Sequence, residues 1–386
     1  MTFLGILAGV LILGLIMVIH ELGHFLAGRA LGFKIEQFSI FMGPVLFERE
    51  KNGIRYNIKA LPLGASVSFA GEESEIEGQG KADYEPDDPG LFENKPKWQR
   101  AIVIAMGPFL NFVTALLVFV ILFTAQGAVV PRIGRVREET LLYSSSIETG
   151  DRITRLNGMR VTSPLDLSIA EMGHGEDEAW VIEYVKADGS RHQETLEPQK
   201  APPRPMLGIT YSEGEDGSYT IVSVHADADQ GEAGFMQGDQ VLTLAGIPFG
   251  ETEAVTQAIL ESEGQPLSSE IIRKGKKMEL VVTPFMLEAD MPLGIVLTLS
   301  KRAGDILSQG IQYPISIFRT TVRGLGMLFA GKIGFRDSFA GPITIVSMAA
   351  DTVTGGRSLA DIASSLATLL GLLSVAIGFT NLLPIP

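Results

Sequence analysis

The chain has no cysteine among its 386 residues. That absence excludes disulfides and any thiolate zinc site, leaving histidine and carboxylate as possible metal ligands. A basic surplus is missing too. The formal net charge is -14, which argues against a nucleic-acid partner, because phosphate binding needs a basic face. The acidic balance reads as a solvated surface. The N-terminus lacks the positive n-region of a secretory signal, and its apolar run is too long for one, so it reads as a retained span. Mean hydropathy is +0.24, high for a soluble protein, yet 20% of residues are charged. Membrane spans joined to soluble modules fit that mixture, and the length allows two or three domains.

The chain is organised around Val18-Ile19-His20-Glu21-Leu22-Gly23-His24-Phe25, an H-E-x-x-H pattern inside the apolar run from Phe3 to about Ala27. On a helix two histidines four apart share a face, so both imidazoles can reach one zinc. Zinc lowers the pKa of a water it holds to about 7, and Glu21 is close enough to take that proton. The residues from Leu11 to Ile19 carry no charge. Ionisable groups within a span are costly and functional by default. The bland alternative is a signal anchor whose polar residues lie just past its end.

In chain order, residues 1–28 read as the first transmembrane helix. Residues 29–100 read as a membrane-associated β-region and an acidic loop. Ile35 to Ile40 and Ile54 to Lys59 alternate like strands, with Gly43-Pro44, Asn52-Gly53 and Pro62-Leu63-Gly64 as punctuation. The expected hairpin offers Ile54 to Val67 as an edge for an unwound substrate strand, or is an ordinary β-loop. Glu72 to Asp88 reads as a solvated acidic loop. Arg29, Lys34, Lys95, Lys97 and Arg100 flank the region, which makes it cytoplasmic and puts the N-terminus outside. A second span, 101–126, contains Gly107-Pro108-Phe109-Leu110-Asn111, which is either a packing kink with one interhelical hydrogen bond or a substrate contact. Between 129 and 292 a repeat appears: Gly150-Asp151-Arg152-Ile153 through Asn157-Gly158, and Gly238-Asp239-Gln240-Val241 through Ala245-Gly246. The pattern resembles PDZ domains, giving two α+β modules at 129–205 and 206–292 that face the outside. They either bind peptides by strand addition or, the reading preferred here, act as size filters. Within 300–350, Ile311, Ile315, Phe318, Val322, Leu325 and Phe329 fall on one side and Arg319 and Arg323 on another. That pattern suits amphipathic helices on the membrane surface, or an ordinary domain helix. Phe335 to Ala350, with Gly341-Pro342, reads as amphipathic or partly inserted. Residues 362–386 begin a third span and end in Asn381-Leu382-Leu383-Pro384-Ile385-Pro386.

Three motifs together, His20 to His24, Gly107 to Asn111 and Asn381 to Pro386, resemble the site-two protease family of intramembrane zinc metalloproteases, in its bacterial RseP (regulator of sigma-E) branch. The resemblance implies a polytopic α-helical membrane protein with a membrane-associated β-hairpin region and two PDZ-like domains. It implies Zn2+ held by His20 and His24, with Glu21 as the general base. The third ligand would be an Asp just after Pro386, so the chain reads as truncated or cleaved before it, the alternative being a pseudoprotease lacking a complete zinc site. Asn381, Pro384, Asn111, Gly107 and Pro108 are the candidate substrate-binding residues. The implied partners are single-span substrates, such as a trimmed anti-sigma factor and signal-peptide remnants, and membrane lipid. The implied location is the bacterial inner membrane, multi-pass, with the PDZ-like domains periplasmic. Two other classes compete: a membrane-tethered PDZ scaffold with an inert H-E-x-x-H, and a transporter, against which the lack of twofold repeated spans speaks.

Overall fold

A computed structural model describes residues 3–71, 84–172, 174–175, 177–214, 217–228, 233–329, 347–350, 352–353 and 358–382. Most of the acidic loop, the segment around Gly341-Pro342, and Pro384 and Pro386 lie outside the described residues.

Helix α1 runs Phe3–Ala30, and its buried face consists mostly of small residues, among them Gly5, Gly9, Gly14, Gly23 and Gly28. Apolar side chains gain little by leaving lipid, so spanning helices associate through close backbone approach at such positions. Strands β1 (Ile35–Lys51) and β2 (Ile54–Phe69) follow as an antiparallel pair. Asn52 and Gly53 at its turn have φ of 55° and 75°, the left-handed pair that a two-residue hairpin needs. Both strands bend back on themselves. Ile58 faces Phe47 on one side and Ile40 on the other, and Phe38 faces both Tyr56 and Val67. The expected edge at Ile54 to Val67 is therefore too broad. Residues 55–58 are paired on both sides, and residues 65–69 form one edge.

Helix α2 (Lys97–Gln126) starts earlier than expected, because Pro96 caps it and its charged first turn continues the helix. Two sheets come next, each with the same strand plan. The first contains β3 (Ala128–Val136), β4 (Arg152–Leu156), β5 (Met159–Arg160), β6 (Trp180–Val185) and β7 (Arg191–Leu196), with helix α3 (Pro164–Met172) after β5. A small pair, β8 (Arg204–Met206) with β15 (Phe285–Leu287), brackets the second. The second sheet contains β9 (Ile209–Glu213), β10 (Tyr219–Val224), β11 (Gln240–Leu244), β12 (Ile247–Pro248), β13 (Leu267–Arg273) and β14 (Lys276–Val282), with helix α4 (Thr252–Glu261) after β12. In the second sheet β9 pairs with β10. The matching place beside β3 is taken by β16 (Ile295–Ser300). The first sheet thus takes its edge strand from beyond the second, which is inserted within it, and a division at 129–205 and 206–292 leaves that strand out. The signal was present: Leu293-Gly294-Ile295 opens β16 as Leu207-Gly208-Ile209 opens β9. The repeated Gly-Asp also has a structural reason. Asp151 accepts the Glu148 N–H, Asp239 accepts the Met236 N–H, and both aspartates are buried.

Helix α5 (Ala303–Phe329) packs Tyr313 against Phe119 and Phe123 of α2, with ring centroids 4.8 and 5.5 Å apart. Its Arg319 turns to the first module and bonds Thr162 and buried Asp166. Leu307, Ile311, Ile315 and Val322 remain exposed. Helix α6 (Leu359–Thr380) stops short of the expected 386, where the Asn381 N–H closes on the Ile377 carbonyl. Among the described residues three helices, α1, α2 and α6, are long and apolar enough to cross a membrane, and they pack side by side.

Candidate metal centre

His20 and His24 lie one turn apart on the α1 face that meets α2. Their rings meet edge to face with centroids 4.8 Å apart, and their Nε2 atoms are 3.1 Å apart. His24 Nδ1 lies 2.7 Å from the Val103 carbonyl. A carbonyl only accepts, so Nδ1 carries the proton and the Nε2 lone pair points into the gap. Asn111 is completely buried, with Nδ2 3.3 Å from His20 Nδ1 and Oδ1 without a partner among the described residues. Turned over, the amide would accept from His20 Nδ1–H and free the Nε2 lone pair of that ring as well. From α6, Asn381 Nδ2 comes within 3.5 Å of His20 Nε2.

Glu21 sits to the side. The Val67 N–H of the β2 edge donates to its Oε2 at 3.0 Å, which holds the carboxylate beside the imidazoles. Ligating atoms of His20, Glu21 and His24 all lie within 4.8 Å of one another.

The donors fit zinc. Two nitrogens on one tetrahedral ion with bonds of about 2.0–2.1 Å stand roughly 3.3 Å apart, close to the 3.1 Å observed. The space beside them exists because residue 107 is glycine: a Cβ there would press on His24 Nε2 and lie 2.9 Å from His20 Nε2. Two imidazoles with no sulfur form a borderline donor set that suits this ion.

The structure brings the sequence-derived candidates together unevenly. Gly107 and Asn111 face the imidazoles, and Asn381 reaches them. Pro108 points elsewhere: its carbonyl meets α6 at Gly378, where a Cβ would lie 3.2 Å away. Pro384 is outside the described residues. Sequence reasoning missed the Val67 N–H and the Val103 carbonyl, which are backbone groups and leave no residue-type signal.

Comparison with known proteins places this geometry in context. The model of peptidase family M50 matches residues 8–386. The regulator of sigma-E protease RseP of Escherichia coli (strain K12) is 25% identical over 416 residues, covering 100% of this chain and 88% of that protein. RseP of Salmonella typhimurium is 26% identical over 408 residues, covering 98% of this chain and 87% of that protein. A putative zinc metalloprotease of Vibrio cholerae is 25% identical over 409 residues, covering 98% of this chain and 87% of that protein.

Proposed function

The chain belongs to peptidase family M50 and is a zinc metalloprotease of the membrane, and from that premise we propose that it cleaves single transmembrane segments at the centre formed by His20, Glu21 and His24. The observation that carries this reading is the convergence of two Nε2 atoms at 3.1 Å, beside a carboxylate, in a helix long enough to span. His20 and His24 would hold zinc. Zinc, when bound, supplies Lewis acidity toward a carbonyl and toward water. Glu21 takes the proton from the attacking water and passes it to the departing amine. Asn111 orients His20, and Val103 orients His24 through its carbonyl. Asn381 lies where it can donate to the substrate backbone.

A helical substrate has its carbonyls bonded and wrapped by side chains, so it must unwind to react. The edge at residues 65–69 lies next to Glu21 and would receive the unwound strand. The twin sheets act as PDZ-like modules on the outer side of a bacterial inner membrane, admitting substrates already trimmed there. The N-terminus lies on that side as well. The sigma-E regulation named for the relatives suggests membrane-bound regulators such as an anti-sigma factor, alongside signal-peptide remnants. In detergent, Glu21→Gln should keep stoichiometric zinc and lose cleavage of a transmembrane peptide. Cleavage near the wild-type rate would overturn the assignment of Glu21, and His24→Ala protein that kept its zinc would overturn the ligand set.

A further inference from the structure

The first sheet turns one face toward α5, and a cleft of about 930 Å3 lies between them. Arg132, Arg152, Arg155, Arg160 and Arg191 all line it. The strand register gathers them. Arg132 stands opposite Arg152, Arg152 opposite Val185, and Val185 opposite Arg191, so one row across four strands carries three guanidiniums. Arg155 stands opposite Arg160 on its other neighbour.

Two acids also line the cleft. Glu183 lies 3.6 Å from Arg155, and Asp305 accepts from the Ser300 hydroxyl. Among the described residues no carboxylate pairs with Arg132, Arg152, Arg160 or Arg191. Like charges directly opposite destabilise a sheet, and this protein has a net charge of -14 with acids to spare. Four unpaired guanidiniums on one concave wall match a phosphate group, which takes the planar fork two bonds at a time.

Position narrows the source. β3 begins two residues after α2 ends at Gln126. The opposite wall is α5, through Ser308, Gln309 and Gln312, and α5 rests on α2 with Gly310 against Val120. On the reading that α2 spans the bilayer, the cleft opens at the level of the headgroups. We propose that this cleft binds the phosphate of anionic phospholipid headgroups and so seats the first module against the membrane.

The test uses the full chain carrying Glu21→Gln in neutral detergent, titrated with dihexanoyl phosphatidylglycerol, dihexanoyl phosphatidylcholine and glycerol 3-phosphate. Saturable binding of the phosphatidylglycerol is expected, weakened about tenfold for each of Arg132→Gln and Arg152→Gln and unchanged in Arg204→Gln on β8, which does not line the cleft. Arg191→Gln on the exposed edge strand gives the same readout where the other two variants fail to fold, with zinc content as the folding check. Equal affinity in wild type and variants overturns the site. Phosphatidylcholine binding as tightly as phosphatidylglycerol overturns the charge argument, and glycerol 3-phosphate binding as tightly overturns the lipid as ligand. Binding is read without catalysis, so its loss leaves the protease reading standing, and inactivity leaves the cleft testable.

Discussion

Gly107→Ala sets two effects of opposite sign against each other. Alanine favours helix over glycine by about 1 kcal/mol, so by propensity alone α2 should become more stable. The added Cβ, however, would fall 2.9 Å from His20 Nε2 and closer still to His24 Nε2. Ordinary contact begins near 3.4 Å, so both rings have to withdraw. Neither is free to do so: His24 is tied to the Val103 carbonyl at 2.7 Å, and His20 backs onto buried Asn111 at 3.3 Å. The helices cannot part easily either, because Gly23 of α1 lies directly on Met106 and Gly107. Metal sites tolerate only about 0.5 Å of ligand displacement. Loss of a supporting contact alone costs roughly 10–100-fold in affinity, and here both ligands are displaced. We expect zinc affinity to fall at least about 100-fold, equivalent to about 2.7 kcal/mol, while the chelated protein falls short of the ~1 kcal/mol gain that helix propensity alone would give. Competition with a chromophoric zinc chelator gives the affinity, and a thermal melt in excess chelator gives the stability. Zinc affinity within about threefold of wild type would refute the argument that the missing side chain makes room for the ion.

Val67→Pro removes the N–H that holds Glu21, at an edge position where proline is tolerated; cleavage should slow about tenfold, the usual worth of a hydrogen bond to a charged group, with zinc content unchanged, and an unaltered rate would mean that Val67 does not position the base. Arg273→Leu strands the buried Asp239, which now accepts two guanidinium bonds at 2.8 and 2.7 Å. It should cost about 3 kcal/mol, read as lost hydrogen-exchange protection in β10 to β13. Adding Asp239→Asn should restore part of that protection, and unchanged exchange in the single variant would show that the pair contributes nothing.

The sequence alone carried the metal chemistry. Two histidines four apart in a helix must share a face, and the lack of cysteine left nitrogen and oxygen as donors. The three apolar runs were equally legible, because lipid imposes length and composition on any helix that crosses it. The twin sheets were half legible. Their Gly-Asp turns and Asn-Gly or Ala-Gly hairpins are local and repeat in the sequence, whereas the edge strand of the first sheet begins 159 residues beyond the end of β3, where Ile295 pairs with Val136, and local pattern does not report pairing at that distance. Tertiary structure alone decided which groups complete the centre. Val67 and Val103 act through backbone atoms, so their side chains say nothing of the role. Gly107 matters for what it leaves empty, which becomes visible only once α1 lies against α2. The row of arginines became a cleft only when strand register brought Arg132, Arg152 and Arg191 abreast, since charge position within a sheet is set by pairing rather than by neighbours along the chain.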